Sequence, residues 1–150
     1  MKEMSKGKFM EVIDDVAVKA ENVDTLVFCS GKIFYDVLEK RDTENKGLNI
    51  ALVRLEQLYP LPEKQIRALI SKYSGAKRII WMQEEPENMG AWSFISRRLR
   101  DIPFEYIGRD ESASPAGGSP MIHQFRQEAL LNRLFTYARE IKSTKKSPVS

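Results

Sequence analysis

The stretch WMQEEPENMGAWSFI, residues 81–95, closes an apolar run on Gln83, Glu84 and Glu85, with Pro86 next. Paired carboxylates can act as general acid and base or as half of a metal site. Acid–base cooperation needs both groups on one wall of a cleft. Neighbours in an extended chain point to opposite faces, so Glu84 and Glu85 are read as rim residues that bond a loop or touch another chain. A metal site needs further ligands, and the single histidine, His123, is far off in sequence. The same stretch sets Met89, Trp92 and Phe94 around Gly90. Trp92 and Phe94 are two apart and cannot fully share a helix face. One of them is therefore expected at an interface, where aromatic anchors concentrate. Glu84, Glu85, Trp92 and Phe94 form the expected interface set.

Other reactive residue types are scattered. CSGK, residues 29–32, opens a helix pattern after a strand pattern. Free backbone N–H groups there, with Lys32, suit either a plain helix start or an anion. The glycine spacing of a phosphate-binding loop or dinucleotide fingerprint is missing. Cys29 is the only cysteine, inside an apolar run, and reads as a buried small side chain in a reducing compartment. Ser112 and Ser114 lack a G-x-S-x-G setting and a base partner, and His123 near a helix start reads as a packing or capping residue. No catalytic set and no metal set is assigned.

The elements that position these groups alternate in period. TLVFCS (25–30), NIALVRL (49–55), KRIIWMQ (77–83) and FEYIG (104–108) are short apolar runs of strand formers. Between them, 31–41, 62–73 and 87–100 carry helical spacing, with Pro62 at a first-turn position and Asn88 as a candidate cap. Residues 109–120 form a loop, and 121–141 the longest helix. KFMEVID (8–14) alternates as a strand but lacks a following helix. Strands apolar on both faces, separated by helices, imply a parallel sheet between two helical layers, an α/β/α sandwich with the first strand as antiparallel edge. Its carboxyl rim would gather Ser30-Gly31-Lys32, Glu56-Gln57, Gln83-Glu84-Glu85 and Gly108-Arg109, where ligands of such folds collect.

Bulk numbers agree with one globular domain: 150 residues, 42% hydrophobic and 30% charged. The net charge of +3 resides in residues 139–150, where Arg139, Lys142, Lys145 and Lys146 face only Glu140; the remainder balances. Residues 142–150 are expected as a basic disordered tail after a domain spanning 1–141. A basic face for nucleic acid is not implied, nor a membrane span or secretory leader.

Four blocks, LVFCSGKIFYDVLEKR, IALVRLEQLYPLP, WMQEEPENMGAWSFI and IGRDESASPAGGS…H, occur in an order and at spacings that resemble the C-terminal domain of 2-oxoglutarate dehydrogenase, over about residues 8–136. The resemblance implies a transketolase C-terminal fold, with five strands in a mixed sheet and the first antiparallel. It implies a cytoplasmic parent enzyme of the tricarboxylic acid cycle. That homodimer uses thiamine diphosphate and Mg²⁺ to decarboxylate 2-oxoglutarate, then hands the succinyl group to a lipoyl arm of a partner acyltransferase. The cofactor segments of that family precede this domain, and their Gly-Asp-Gly motif is not in this sequence. The chain is thus expected to be the C-terminal domain alone, beginning where the others end, without a cofactor of its own and inactive by itself. Actinobacterial members carry an allosteric acetyl-CoA site involving this domain, which here would draw on Ser30, Lys32, Gln83 and Arg109. Asp110 departs from that pattern, since a second basic residue would suit a phosphate better. The competing reading is a free-standing binding or adaptor module without catalysis.

Overall fold

The structure, a computed structural model, describes residues 12–15, 18–44, 48–56, 61–109 and 120–146; at 44, 109, 120–126 and 141–146 it describes the backbone alone. Strands β1 (Val12–Ile13), β2 (Thr25–Cys29), β3 (Ile50–Leu55), β4 (Arg78–Pro86) and β5 (Phe104–Arg109) form one sheet in the order β1-β3-β2-β4-β5. The last four strands run parallel, and β1 lies antiparallel on β3 at the edge, as its lack of a following helix suggested. Helices α1 (Lys32–Glu44), α2 (Glu63–Lys72), α3 (Trp92–Arg98) and α4 (Pro120–Lys146) fill the crossovers and the end of the chain.

Period-two alternation in the central strands feeds two cores. On one face Val27, Cys29, Leu52, Ile80 and Met82 meet Ile33 and Val37 of α1 and Leu130, Leu134 and Phe135 of α4. On the other, Leu26, Phe28, Val53 and Trp81 meet Ile66 of α2 and Ile95 of α3. Each such side chain, once buried, contributes about 1.5–3 kcal/mol. The two clusters are the physical content of the three-layer α/β/α architecture. Cys29 is 0% exposed in the first of them, and burial pushes its thiol pKa up against the opposing charge of Arg54.

The short edge strand is held by a buried ion pair. Arg41 on α1 reaches Asp15, whose carboxylate also accepts the backbone N–H of Leu52 at 2.9 Å, while Arg41 donates to the Ile50 carbonyl at 3.1 Å.

Three boundaries differ from expectation. β4 runs to Pro86 rather than stopping at 83, because β5 still pairs with it at Pro86↔Arg109. The helix expected over 87–100 is confined to Trp92–Arg98. Residues 87–91 are turns, and its cap position is Ala91 rather than Asn88, with no side-chain cap bond. The helix expected to end at 141 continues to Lys146, so 142–146, placed in the tail, are helical backbone. Residues 110–119, expected as part of a loop, and 147–150 lie outside the described residues. Among the described residues no helix is long and apolar enough to cross a membrane.

Candidate functional site at the carboxyl rim

Gln83 organises the rim at β4. Its side chain is buried, with the residue 4% exposed. Its Oε1 accepts the indole N–H of Trp81 at 2.8 Å and the backbone N–H of Trp92 at 3.0 Å. An indole nitrogen only donates, which fixes the orientation of the amide. Its Nε2 donates to the carbonyls of Glu85 (3.2 Å), Pro86 (2.9 Å) and Met89 (2.9 Å). One amide thereby closes the strand, the turn and the start of α3. The five hydrogen bonds of the Gln83 amide are all made within this corner, to Trp81, the turn and the start of α3.

The strand bulges here. Between Met82 and Pro86 β4 advances four residues while β5 advances only from Ile107 to Arg109. A Cβ on Gly108 would stand 2.1 Å from the Tyr106 hydroxyl. That ring crosses Gly108 so that its hydroxyl can donate to the Glu85 carbonyl at 2.8 Å. Burial pushes the Tyr106 pKa up to about 12, Glu87 and Glu85 adding to the rise while Gln83 and Arg133 oppose it. Gly90 turns the chain with φ of 68°, and a side chain there would press on Glu85 Oε1 and Gln83 Oε1.

Glu84 and Glu85 diverge, as extended backbone requires. Glu84 accepts Gln127 Nε2 of α4 at 3.2 Å, and the same nitrogen donates to Asp36 of α1 at 2.7 Å. Glu85 is exposed beside the Gly90 turn. The Trp92 ring lies 5.4 Å from Tyr106 and 6.4 Å from Phe104. Phe94 is partly buried in the same cluster, with the Arg98 guanidinium 5.8 Å above it. Of the four residues expected at an interface, Glu85 is the exposed one; Glu84, Trp92 and Phe94 are each partly buried.

Beside the ends of β2 and β3 lies an open depression of 360 Å³, lined by Ser30, Gly31, Tyr35, Arg54, Leu55 and Glu56. Arg54 stacks on Phe34 (5.2 Å) and Tyr35 (5.3 Å), donates to the Tyr35 hydroxyl and pairs with Glu56. Of the four expected effector residues, only Ser30 lines this depression. Lys32 is exposed outside it, and the side chains of Arg109 and His123 lie outside the described residues, as do Ser112 and Ser114. Sequence reasoning missed Arg54 and Tyr35. The available signal was one cation near the end of the apolar run IALVRL, where a buried strand otherwise excludes charge. Among the described residues no three His, Cys, Asp or Glu side chains converge.

Residues 1–135 match the family model described as 2-oxoglutarate dehydrogenase C-terminal. The chain belongs to the 2-oxoglutarate dehydrogenase C-terminal family. It is 45% identical over 132 residues to the 2-oxoglutarate dehydrogenase E1 component of Rickettsia felis, covering 82% of this chain and 13% of that protein. It is 38% identical over 145 residues to the E1 component of Azotobacter vinelandii, covering 91% and 15%. The chain thus spans about one seventh of the relatives it matches. A solved structure described as a split gene transketolase, inactive beta4 tetramer, aligns with TM-score 0.59 over 81% of this chain and 41% of that one. At 16% identity that likeness speaks for the fold alone, which is transketolase-like. In this 2-oxoglutarate dehydrogenase C-terminal domain, the rim therefore combines one internally closed corner at Gln83 with one open polar corner at Arg54.

Proposed function

We propose that the chain serves as the C-terminal domain of a 2-oxoglutarate dehydrogenase E1 component. In this reading the parent is a cytoplasmic homodimer of the tricarboxylic acid cycle. It uses thiamine diphosphate and Mg²⁺ to decarboxylate 2-oxoglutarate and passes the succinyl group to the lipoyl arm of an acyltransferase. The carrying observation is the family match over residues 1–135, in a chain that corresponds to only 13–15% of its relatives. The domain contributes assembly. Its rim corner at β4, with Glu84, Glu85, Trp92 and Phe94, meets the preceding domains or the second subunit. The described residues do not fit the cofactor: the open depression holds a guanidinium already facing a carboxylate, and no ligand triad converges. Thiamine diphosphate and Mg²⁺ therefore belong to other domains in this reading. The test is direct. The purified 150-residue chain, given 2-oxoglutarate, thiamine diphosphate and Mg²⁺, is expected to release no CO₂; release would overturn the division of labour.

The depression at Ser30 and Arg54 favours a second role, an acyl-CoA effector site on this rim, with Lys32 and Arg109 as the expected neighbouring cations. Calorimetry with acetyl-CoA tests it in a full-length E1 protein carrying the domain. Absence of heat at millimolar ligand removes this role and leaves the first intact.

A further inference from the structure

Arg54 is a cation on the inner strand β3, with its side chain 21% exposed. Its ring contacts and the bond to the Tyr35 hydroxyl hold the guanidinium on the wall of the depression. Its charge is met by Glu56, whose Oε2 lies against Nε. That nitrogen is buried and has no aligned hydrogen bond. Glu56 thus neutralises Arg54 without satisfying its Nε–H. Guanidinium and an oxyanion bind best when two N–H groups point at the anion together. A phosphate or carboxylate entering the depression can offer that geometry, whereas Glu56, tethered two residues along the same chain, pairs without it. Glu56 is the first residue after β3, its side chain 33% exposed, and can rotate toward solvent.

We infer that Glu56 is a built-in competitor for Arg54: an anionic ligand occupies the depression only by displacing the Glu56 carboxylate. This rests on the effector reading above and adds its regulation. The apparent affinity of the site is then reduced by the fraction of time that Glu56 occupies the guanidinium. Any event that draws Glu56 away, such as a cation from a neighbouring domain, raises ligand affinity without touching the ligand.

The experiment is calorimetry with acetyl-CoA on full-length E1 carrying this domain, comparing the wild type with Glu56→Gln and Arg54→Ala, each checked for folding by circular dichroism. Removing the competing charge is expected to tighten binding about fivefold, the scale of a partly exposed ion pair. Arg54→Ala is expected to weaken it at least about tenfold, as loss of a charge-assisted contact does. Binding that Arg54→Ala weakens but Glu56→Gln leaves unchanged overturns the competitor while the effector site stands. Binding unaffected by Arg54→Ala places the ligand elsewhere and removes both. No binding by the wild type together with binding by Glu56→Gln supports full self-blocking, and no binding by either removes the site. If Glu56→Gln does not fold, Glu56→Ala serves the same comparison.

Discussion

Replacing Gln83 by alanine strips the acceptor from a buried indole N–H and the donor from three carbonyls. Unsatisfied buried groups cost more than the bonds were worth, so Gln83→Ala is expected to lose about 3 kcal/mol in urea denaturation, with an unchanged slope. Asp14 gives a pH-dependent counterpart. Burial acts to raise its pKa, but bonds from the Lys72 ammonium, the Tyr73 hydroxyl and the Asp15 N–H hold it below the ordinary 3.8. A depressed folded pKa favours the charged form in the native state, so its contribution is present above 3.8 and is lost as pH falls through the folded value. The stability gap between wild type and Asp14→Asn is therefore expected to be steady near neutral pH and to shrink below 3.8, read from urea midpoints at both ends. The residue scale is also where sequence reading stopped short. A glutamine at a strand end looks polar and available, and nothing in its spacing says that its amide turns inward to meet Trp81. Arg54 sat in plain view within IALVRL, but its partners Tyr35 and Glu56 come from a helix face and a strand end that only the fold brings together.

The elements themselves were largely legible, because burial on both faces leaves a plain signature. LVFC, IALV and IIWM carry no interior charge, and the intervening segments keep helical spacing. The missed boundary, at 84–91, has a tertiary cause. A bulge opposite Gly108 lets β4 overrun its apolar segment, and the Gln83 amide holds the turn that delays α3 to Trp92. Gly108 is the element-level test. Its Cβ would meet the Tyr106 hydroxyl at 2.1 Å and Cζ at 2.4 Å, so the ring must leave and its bond to Glu85 break. Gly108→Ala is expected to cost about 1–3 kcal/mol, the scale of overpacking. In a Tyr106→Ala background the same change is expected to cost far less, and a double-mutant cycle on thermal unfolding measures the coupling.

At the scale of the whole molecule, the carboxyl rim is where an assembly role is proposed, and Glu85 is an exposed carboxylate on it. Glu85→Ala is expected to change the isolated chain's stability by no more than about 0.5 kcal/mol, as exposed substitutions do. In full-length E1 it is expected to weaken dimer association about tenfold by sedimentation equilibrium, as loss of an interface charge does. Equal losses in both settings would mark Glu85 as a fold residue. The centre of the sheet offers an independent measure of the same molecule. Its lone sulfhydryl, Cys29, is sealed between α1, α4 and the sheet, so no alkylating reagent reaches it until those layers separate. The labelling rate at that sulfur therefore reports how often the sandwich opens as a whole, without an added probe. Comparing that rate in the chain alone and within E1 gives the stability that assembly contributes.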